Sequence, residues 1–198
     1  MIDKRRIPTS LKDVQSLLGA ANHTRKFHEK YAAKVAPLVE LTCKDVPFEM
    51  TPERINAVEW LKKAMTNVPA LRVPVPGDKY ILETDASGVC IEAVLLQRDS
   101  YGTLYVCAYA SRELSKYEKT RAIIDNEVTA IICGIKKFRV YLYGNNFILR
   151  CDSAPLKWLM TLTDPNMRLV RCAIYLQVFD FTIETIKSAE NVRADDGT

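Results

Sequence analysis

Four carboxylates in this chain occupy positions from which they could act together. Asp85 closes the run "KYILETD", and Asp152 closes the run "NFILRCD". Both runs are aliphatic and β-branched, so each aspartate falls at the carboxyl end of a strand. Glu127 lies in a helical pattern whose apolar stripe is Ile124, Val128, Ile131, Ile135, Phe138 and Leu142. At ~100° per residue, it falls about 60° from the middle of that stripe, on the shoulder of the buried face. Asp125 falls about 100° away on the other shoulder and is the weaker candidate. Asp195 follows the last strand by a short loop. Taken singly, each acid reads more readily as a solvated loop residue. If the strands ending at Asp85 and Asp152 are parallel neighbours, the acids converge and raise one another's pKa unless a cation neutralises them. An all-oxygen donor set without histidine or thiolate favours Mg²⁺ or Mn²⁺. Two such ions about 4 Å apart suit in-line attack on a phosphodiester.

The elements that would position these acids follow from periodicity. Residues 8 to 31 read as a helix, with Ser10 and Asp13 at capping-box spacing and Leu11, Val14, Leu18 and Ala21 at helical intervals. A second helix opens at Thr51-Pro52-Glu53, where a cap, a first-turn proline and an acid favoured by the helix dipole coincide. Its stripe is Ile55, Val58, Leu61 and Met65, and Pro69 ends it. "RVPVPGD", residues 72–78, carries two prolines and a glycine and marks a linker. Beyond it, residues 79–86, 90–98 and 103–111 read as an antiparallel meander with turns at "SGV" and "DSYG". A long helix over about 115–142 follows, with Gly144 past its end. Then come the strand "NFILRCDS", a short helix from Pro155, a helical segment over 167–178 and the strand "FDFTIETIK". The order β-β-β-α-β-α-α-β predicts an α+β fold with helices packed on a mixed sheet. A helical crossover between the first and fourth strands permits them to be parallel.

Composition narrows the function classes. With 198 residues and 48% hydrophobic content, the chain can bury a core and is not a disordered segment. No run approaches 18 apolar residues, so no membrane partner is expected, and the basic start "MIDKRRIPTS" lacks the apolar run of a signal peptide. Residues 1–70 hold 12 basic and 8 acidic side chains, so the net charge of +4 resides in the first third. That bias suits a phosphate backbone, or simply a solvated helix surface. The six cysteines form no C-x-x-C pair and read as reduced, mostly buried thiols, implying a reducing intracellular compartment.

Six blocks in order carry a resemblance: "TDAS…AVLLQ", "AYASREL", "NEVTAI…KKFRVYLYG", "FILRCDSAPLKWL", "LQVFDFTIE" and "NVRAD". They resemble the ribonuclease H domain of gypsy-type LTR retrotransposon polyproteins. The segment before the linker is similar to the C-terminal end of the reverse transcriptase in those polyproteins. The resemblance implies a ribonuclease H-like fold: a mixed five-stranded sheet flanked by helices and preceded by a small helical segment. It divides the chain into residues 1–71, a thumb- or connection-like helical tail, the linker 72–78, and the ribonuclease H-like domain 79–198. Its acidic quartet falls on Asp85, Glu127, Asp152 and Asp195, the four acids singled out by position. It implies cleavage of the RNA strand of an RNA–DNA hybrid with two Mg²⁺ (or Mn²⁺) ions. Asp85 would be shared between them, Glu127 and Asp152 would serve one and Asp195 the other. The remainder of a reverse transcriptase polyprotein would be a partner.

Departures from that pattern set the alternative. The family usually has a G-I-G triplet before "AVL", and here Cys90, Ile91 and Glu92 stand there. The family often has an aromatic at Arg121 and a tryptophan at Cys172, and the chain stops soon after Asp195. No aromatic-x-Asp-Asp turn lies between strands, so DNA synthesis is not expected of this chain. A catalytically inactive ribonuclease H fold that binds nucleic acid or protein, from a decayed or domesticated element, is the competing reading. Trp158, Leu159, Phe179 and Phe181 read as core, and Arg139 and Tyr141 as mixed surface and packing.

Overall fold

A computed structural model describes residues 7–67, 71–161 and 167–185 of the chain. Three helices come first: α1 (Leu11–Ala21), α2 (Tyr31–Glu40) and α3 (Pro52–Thr66). Both expected caps form. The Ser10 side chain accepts from the Asp13 N–H, and Thr51 accepts from the Arg54 N–H with Pro52 in the first turn. These helices bury one another through Val14, Leu17, Val35, Leu38, Val58 and Leu61. Leu11, expected in the stripe of α1, is exposed, and Leu17 takes the inward position.

The helix expected over residues 8–31 is broken. Thr24 Oγ1 donates to the Ala21 carbonyl, and His23 Nδ1 lies 2.6 Å from the Ala20 carbonyl. These side chains take up the carbonyls left over at the end of α1, and the chain tightens into a 3₁₀ turn over Asn22–Phe27. Lys30, left-handed at φ 54°, then redirects it into α2. That helix carries no side-chain cap and has Pro37 inside it, so local signals do not announce it.

Beyond Pro74 and Pro76, five strands form one sheet: β1 (Ile81–Ala86), β2 (Cys90–Arg98), β3 (Leu104–Glu113), β4 (Phe147–Cys151) and β5 (Phe181–Thr185). Their order is β3-β2-β1-β4-β5. The meander β1-β2-β3 is antiparallel, with a bulge at Leu95/Leu96, whereas β4 runs parallel to both β1 and β5. One face of β1, carrying Leu82 and Thr84, is covered by α5 (Ile123–Lys137). Gly134 permits this approach: a Cβ there would lie 3.0 Å from Ala93 Cβ and 3.1 Å from Thr84 Cγ2. Leu82, Leu95, Ile131, Ile135, Phe147 and Leu149 are fully buried between sheet and helices. Each contributes roughly 1.5–3 kcal/mol of transfer free energy. Leu159 and Phe179 are buried and Phe181 packs on this core, while Tyr141 packs against it and Arg139 stacks on Tyr143. Trp158, whose side chain is not described, lies in α7 (Ser153–Thr161), which α8 (Met167–Leu176) follows.

The helix expected over 115–142 is three pieces: α4 (Lys116–Lys119), α5 and α6 (Arg139–Leu142). Ser115 and Glu118 form a reciprocal capping box that closes α4 as a single turn, and Ala122 is extended at ψ 145°. Glu118 also takes a two-pronged bond from Arg112 of β3, at 2.8 and 2.7 Å. The Arg112 bonds, followed by the Ser115 bonds, outweigh burial and hold the Glu118 carboxyl down at about 2. Its pKa is lower folded than the ordinary 4.5, so it stabilises the fold fully above pH ~4.5 and loses that contribution as pH falls toward 2. Glu118→Gln is expected to cost about 1–2 kcal/mol at pH 7, given the half-exposed arginine. Urea unfolding of both proteins should show the gap closing below pH 4; a gap independent of pH would contradict this account.

Candidate active site

The parallel pairing of β1 with β4 places the two strand-end aspartates. Ile81, Leu82 and Glu83 face Ile148, Leu149 and Arg150. Continuing that register by two residues sets Asp152 level with Asp85, on strands about 4.8 Å apart. Both side chains are exposed. Asp85 is the penultimate residue of β1, which pairs on its other side with β2. Asp152 is the first residue after β4 and directly precedes α7.

Glu127 reaches the same end of the sheet from the helix. It lies seven residues before Gly134, two turns away on the same side of α5. Gly134 rests on Thr84, so Glu127 overhangs the end of β1, where the Ala86 N–H hydrogen-bonds its carboxylate. It is half-buried, as a shoulder position requires. Burial first, then the negative charges of Asp85 and Asp152, push its carboxyl up to about 7 against the Ala86 bond. Asp85, Glu127 and Asp152 are therefore within electrostatic reach of one another. Asp195, the fourth acid, lies outside the described residues. Asp125, the weaker candidate, is held in an ion pair with Arg168 of α8.

The remaining surroundings are also acidic. Glu92 stands directly across the β1–β2 ladder from Asp85 and is half-buried. Burial raises its carboxyl to about 7, with Asp85 and Glu29 adding to the rise and the Cys90 thiol and Lys30 opposing it. Glu92, standing where the resembled family usually has glycine, is thus partly buried beside the candidate site. Burial, then Glu127 and Asp152, raise the thiol of Cys151 to about 12. An all-oxygen, mutually repelling set suits a hard divalent cation. Among the described residues, no three His, Cys, Asp or Glu side chains are drawn together tightly enough to enclose a metal ion. The carboxylates line an open rim. Mg²⁺ keeps several waters and is usually held by one or two carboxylates together with substrate phosphates, so a closed cage is not required for it.

Sequence reading did not find the contacts that tie the helical segment to this domain. The Arg25 guanidinium donates to the Ser111 carbonyl, and the Ala32 N–H donates to Ser111 Oγ at 3.0 Å. Both bonds join residues about 80 positions apart, and no local pattern signals them.

A mixed sheet in this strand order, with a helix lying across β1 and carboxylates at adjacent strand ends, defines a ribonuclease H-like fold. The chain belongs to the RNase H-like domain family found in reverse transcriptase, whose model matches residues 75–179. It is 34% identical over 190 residues to the retrovirus-related Pol polyprotein from transposon 297 of Drosophila melanogaster, a match covering 96% of this chain and 18% of that protein. It is also 34% identical over 192 residues to the transposon Tf2-3 polyprotein of Schizosaccharomyces pombe, covering 95% of this chain and 14% of the relative. The chain thus spans less than a fifth of the length of these relatives. Among solved structures, the foamy viral protease-reverse transcriptase in complex with dsDNA aligns over 94% of this chain and 40% of its own, with a TM-score of 0.77 and 20% identity. The same viral protein in complex with RNA/DNA hybrid aligns over 94% of this chain and 26% of its own, with a TM-score of 0.74 and 19% identity.

Proposed function

We propose that this chain is the ribonuclease H portion of a retrotransposon reverse transcriptase and cleaves the RNA strand of RNA–DNA hybrids by metal-dependent hydrolysis. The observation that carries the reading is the convergence of acids from three elements: the β1–β4 register sets Asp152 level with Asp85, and α5, seated on β1 at Gly134, brings the half-buried Glu127 to the same strand end. A helix glutamate kept this close to two other acids costs stability, which a bound cation would recover. Asp85, Glu127, Asp152 and Asp195 would hold two Mg²⁺ or Mn²⁺ ions. Two divalent ions at such a rim supply Lewis acidity and a hydroxide-like nucleophile at neutral pH. The chain's part is positional. Pairing on both sides of β1 fixes Asp85, the adjacent strand sets the level of Asp152, and the packing of α5 at Gly134 sets the reach of Glu127. Choice of the RNA strand would rest on contacts to 2′-hydroxyls across a shallow minor groove. Residues 1–71 would be the tail of the polymerase, joined by linker 72–78 to the nuclease domain 79–198, and the rest of the polyprotein would be its partner. Free thiols at Cys90, Cys107 and Cys151, all buried, suit a reducing intracellular compartment.

A second reading, an inactive fold that only binds hybrid or protein, is favoured by Glu92, which sets a further half-buried acid opposite Asp85. One assay separates the two. An end-labelled RNA–DNA hybrid is incubated with the protein in Mg²⁺, in Mn²⁺ and in chelator. RNA fragments bearing 5′-phosphates are expected with either metal and none with chelator, with the DNA strand and an RNA–RNA duplex left intact. A hybrid that binds tightly yet stays whole in both metals would decide for the inactive module.

A further inference from the structure

A groove of about 800 Å³ runs between the 3₁₀ turn Asn22–Phe27, the edge strand β3 with its neighbour β2, and helix α5. No role in the proposed hydrolysis uses it. Its floor is apolar, with Ala93, Ala110, Ala130 and Gly134 beside Ile91, Tyr109 and Cys133. Its walls carry opposite chemistry. His23, Arg25 and Lys26 come from the 3₁₀ turn, and Lys136 and Lys137 come from α5. Among the described residues that line it, Glu92 is the only acid. Arg25 is committed to the Ser111 carbonyl, Lys26 rests over the Phe27 ring and Lys136 over the Tyr175 ring. Lys137 is exposed and makes no hydrogen bond or ion pair among the described residues.

An apolar floor between cationic walls calls for a ligand with a flat apolar-faced body and a multiply charged anionic group. The volume lies within the range of small-molecule and cofactor sites, about 300–1,000 Å³. The exposed Asn22 at one end can hydrogen-bond the edge of a heterocycle. We propose that this groove binds a phosphate-bearing nucleotide, its base on the alanine floor and its phosphate between Lys26 and Lys137. The phosphate-bearing nucleotide is either a free molecule or the 5′-phosphorylated end of a single strand.

The test is equilibrium binding with the full chain in chelator, so that ion-dependent binding at the carboxylate rim does not contribute. The probes are a mant-labelled adenosine diphosphate and a fluorescent 5′-phosphorylated tetranucleotide, with unphosphorylated adenosine and inorganic phosphate as competitors. Saturable binding of either probe is expected, weakened at least about tenfold by Lys137→Glu or Lys26→Glu and similarly by Ala110→Phe, which fills the floor. Binding of the diphosphate assigns a free nucleotide, and binding of the tetranucleotide alone assigns a strand end. Adenosine and inorganic phosphate should each compete at least about tenfold less well than unlabelled diphosphate or tetranucleotide. Lys26 and Lys137 are exposed, so circular dichroism should show both reversals folded as the parent. Absence of saturable binding, or binding indifferent to both charge reversals, would overturn the proposal without bearing on hybrid cleavage.

Discussion

Asp85→Asn is expected to lower RNA cleavage at least about 100-fold while leaving affinity for the RNA–DNA hybrid within a few-fold. Asparagine keeps the size and one acceptor oxygen of aspartate and removes the anion. Asp85 is exposed at the end of β1, so the change creates no cavity and strands no buried partner. Its charge is one cause of the raised Glu127 carboxyl, together with burial and Asp152. The substitution should therefore also move the Glu127 titration down from about 7, a readout independent of turnover. Thermal unfolding should be unchanged or slightly higher, because a repulsion has been removed. A variant that cuts at the parental rate would exclude Asp85 from the chemistry, and with it the assignment of the acidic rim.

The second large effect is structural and reaches the same site. Gly134→Leu is expected to destabilise the fold by about 2–3 kcal/mol, read from denaturant midpoints at constant slope. The first atom added already falls 3.0 Å from Ala93 Cβ and 3.1 Å from Thr84 Cγ2, and Leu82 Cδ1 follows at 3.4 Å. Ala93 has no rotamer with which to retreat, and its strand is held by β1 and β3 on either side. Removing glycine from a helix interior recovers at most ~1 kcal/mol, so the clash dominates. Gly134→Ala should fall between parent and leucine variant. The helix can relieve the clash only by lifting from β1, and that movement carries Glu127 away from Asp85. Cleavage by the leucine variant should therefore fall further than its folded fraction accounts for. An unshifted midpoint would mean that α5 does not lie against β1 and β2 at Gly134.

Local signals in the chain were strong where one residue type has one physical use. Thr51-Pro52-Glu53 marks the start of α3 to the residue, and Gly144, at φ 77°, follows α6 where a left-handed residue is needed. Among the described residues, alternation located the strands to within two residues, since burial on a sheet repeats every second position. The same periodicity misjudged helix continuity. Stripes can continue in phase across a break, so Asn22–Phe27 and Thr120–Ala122 read as helix although side-chain bonds and an extended residue end it there.

For the candidate site, sequence alone determined which acids could act and at which ends of which elements they lie. Strand ends and the shoulder of a helical stripe are local properties, legible from the order of residues at Asp85, Asp152 and Glu127. Only the tertiary structure decided that β4 is the parallel neighbour of β1, which brings Asp152 level with Asp85 across some 67 residues of chain. It also decided that Glu92 is half-buried beside them and that Arg25 and Ala32 reach Ser111. Strand pairing and the docking of one segment on another are choices among distant surfaces. Their energies arise from burial and hydrogen bonds between residues far apart in the chain, and no window of sequence contains both partners.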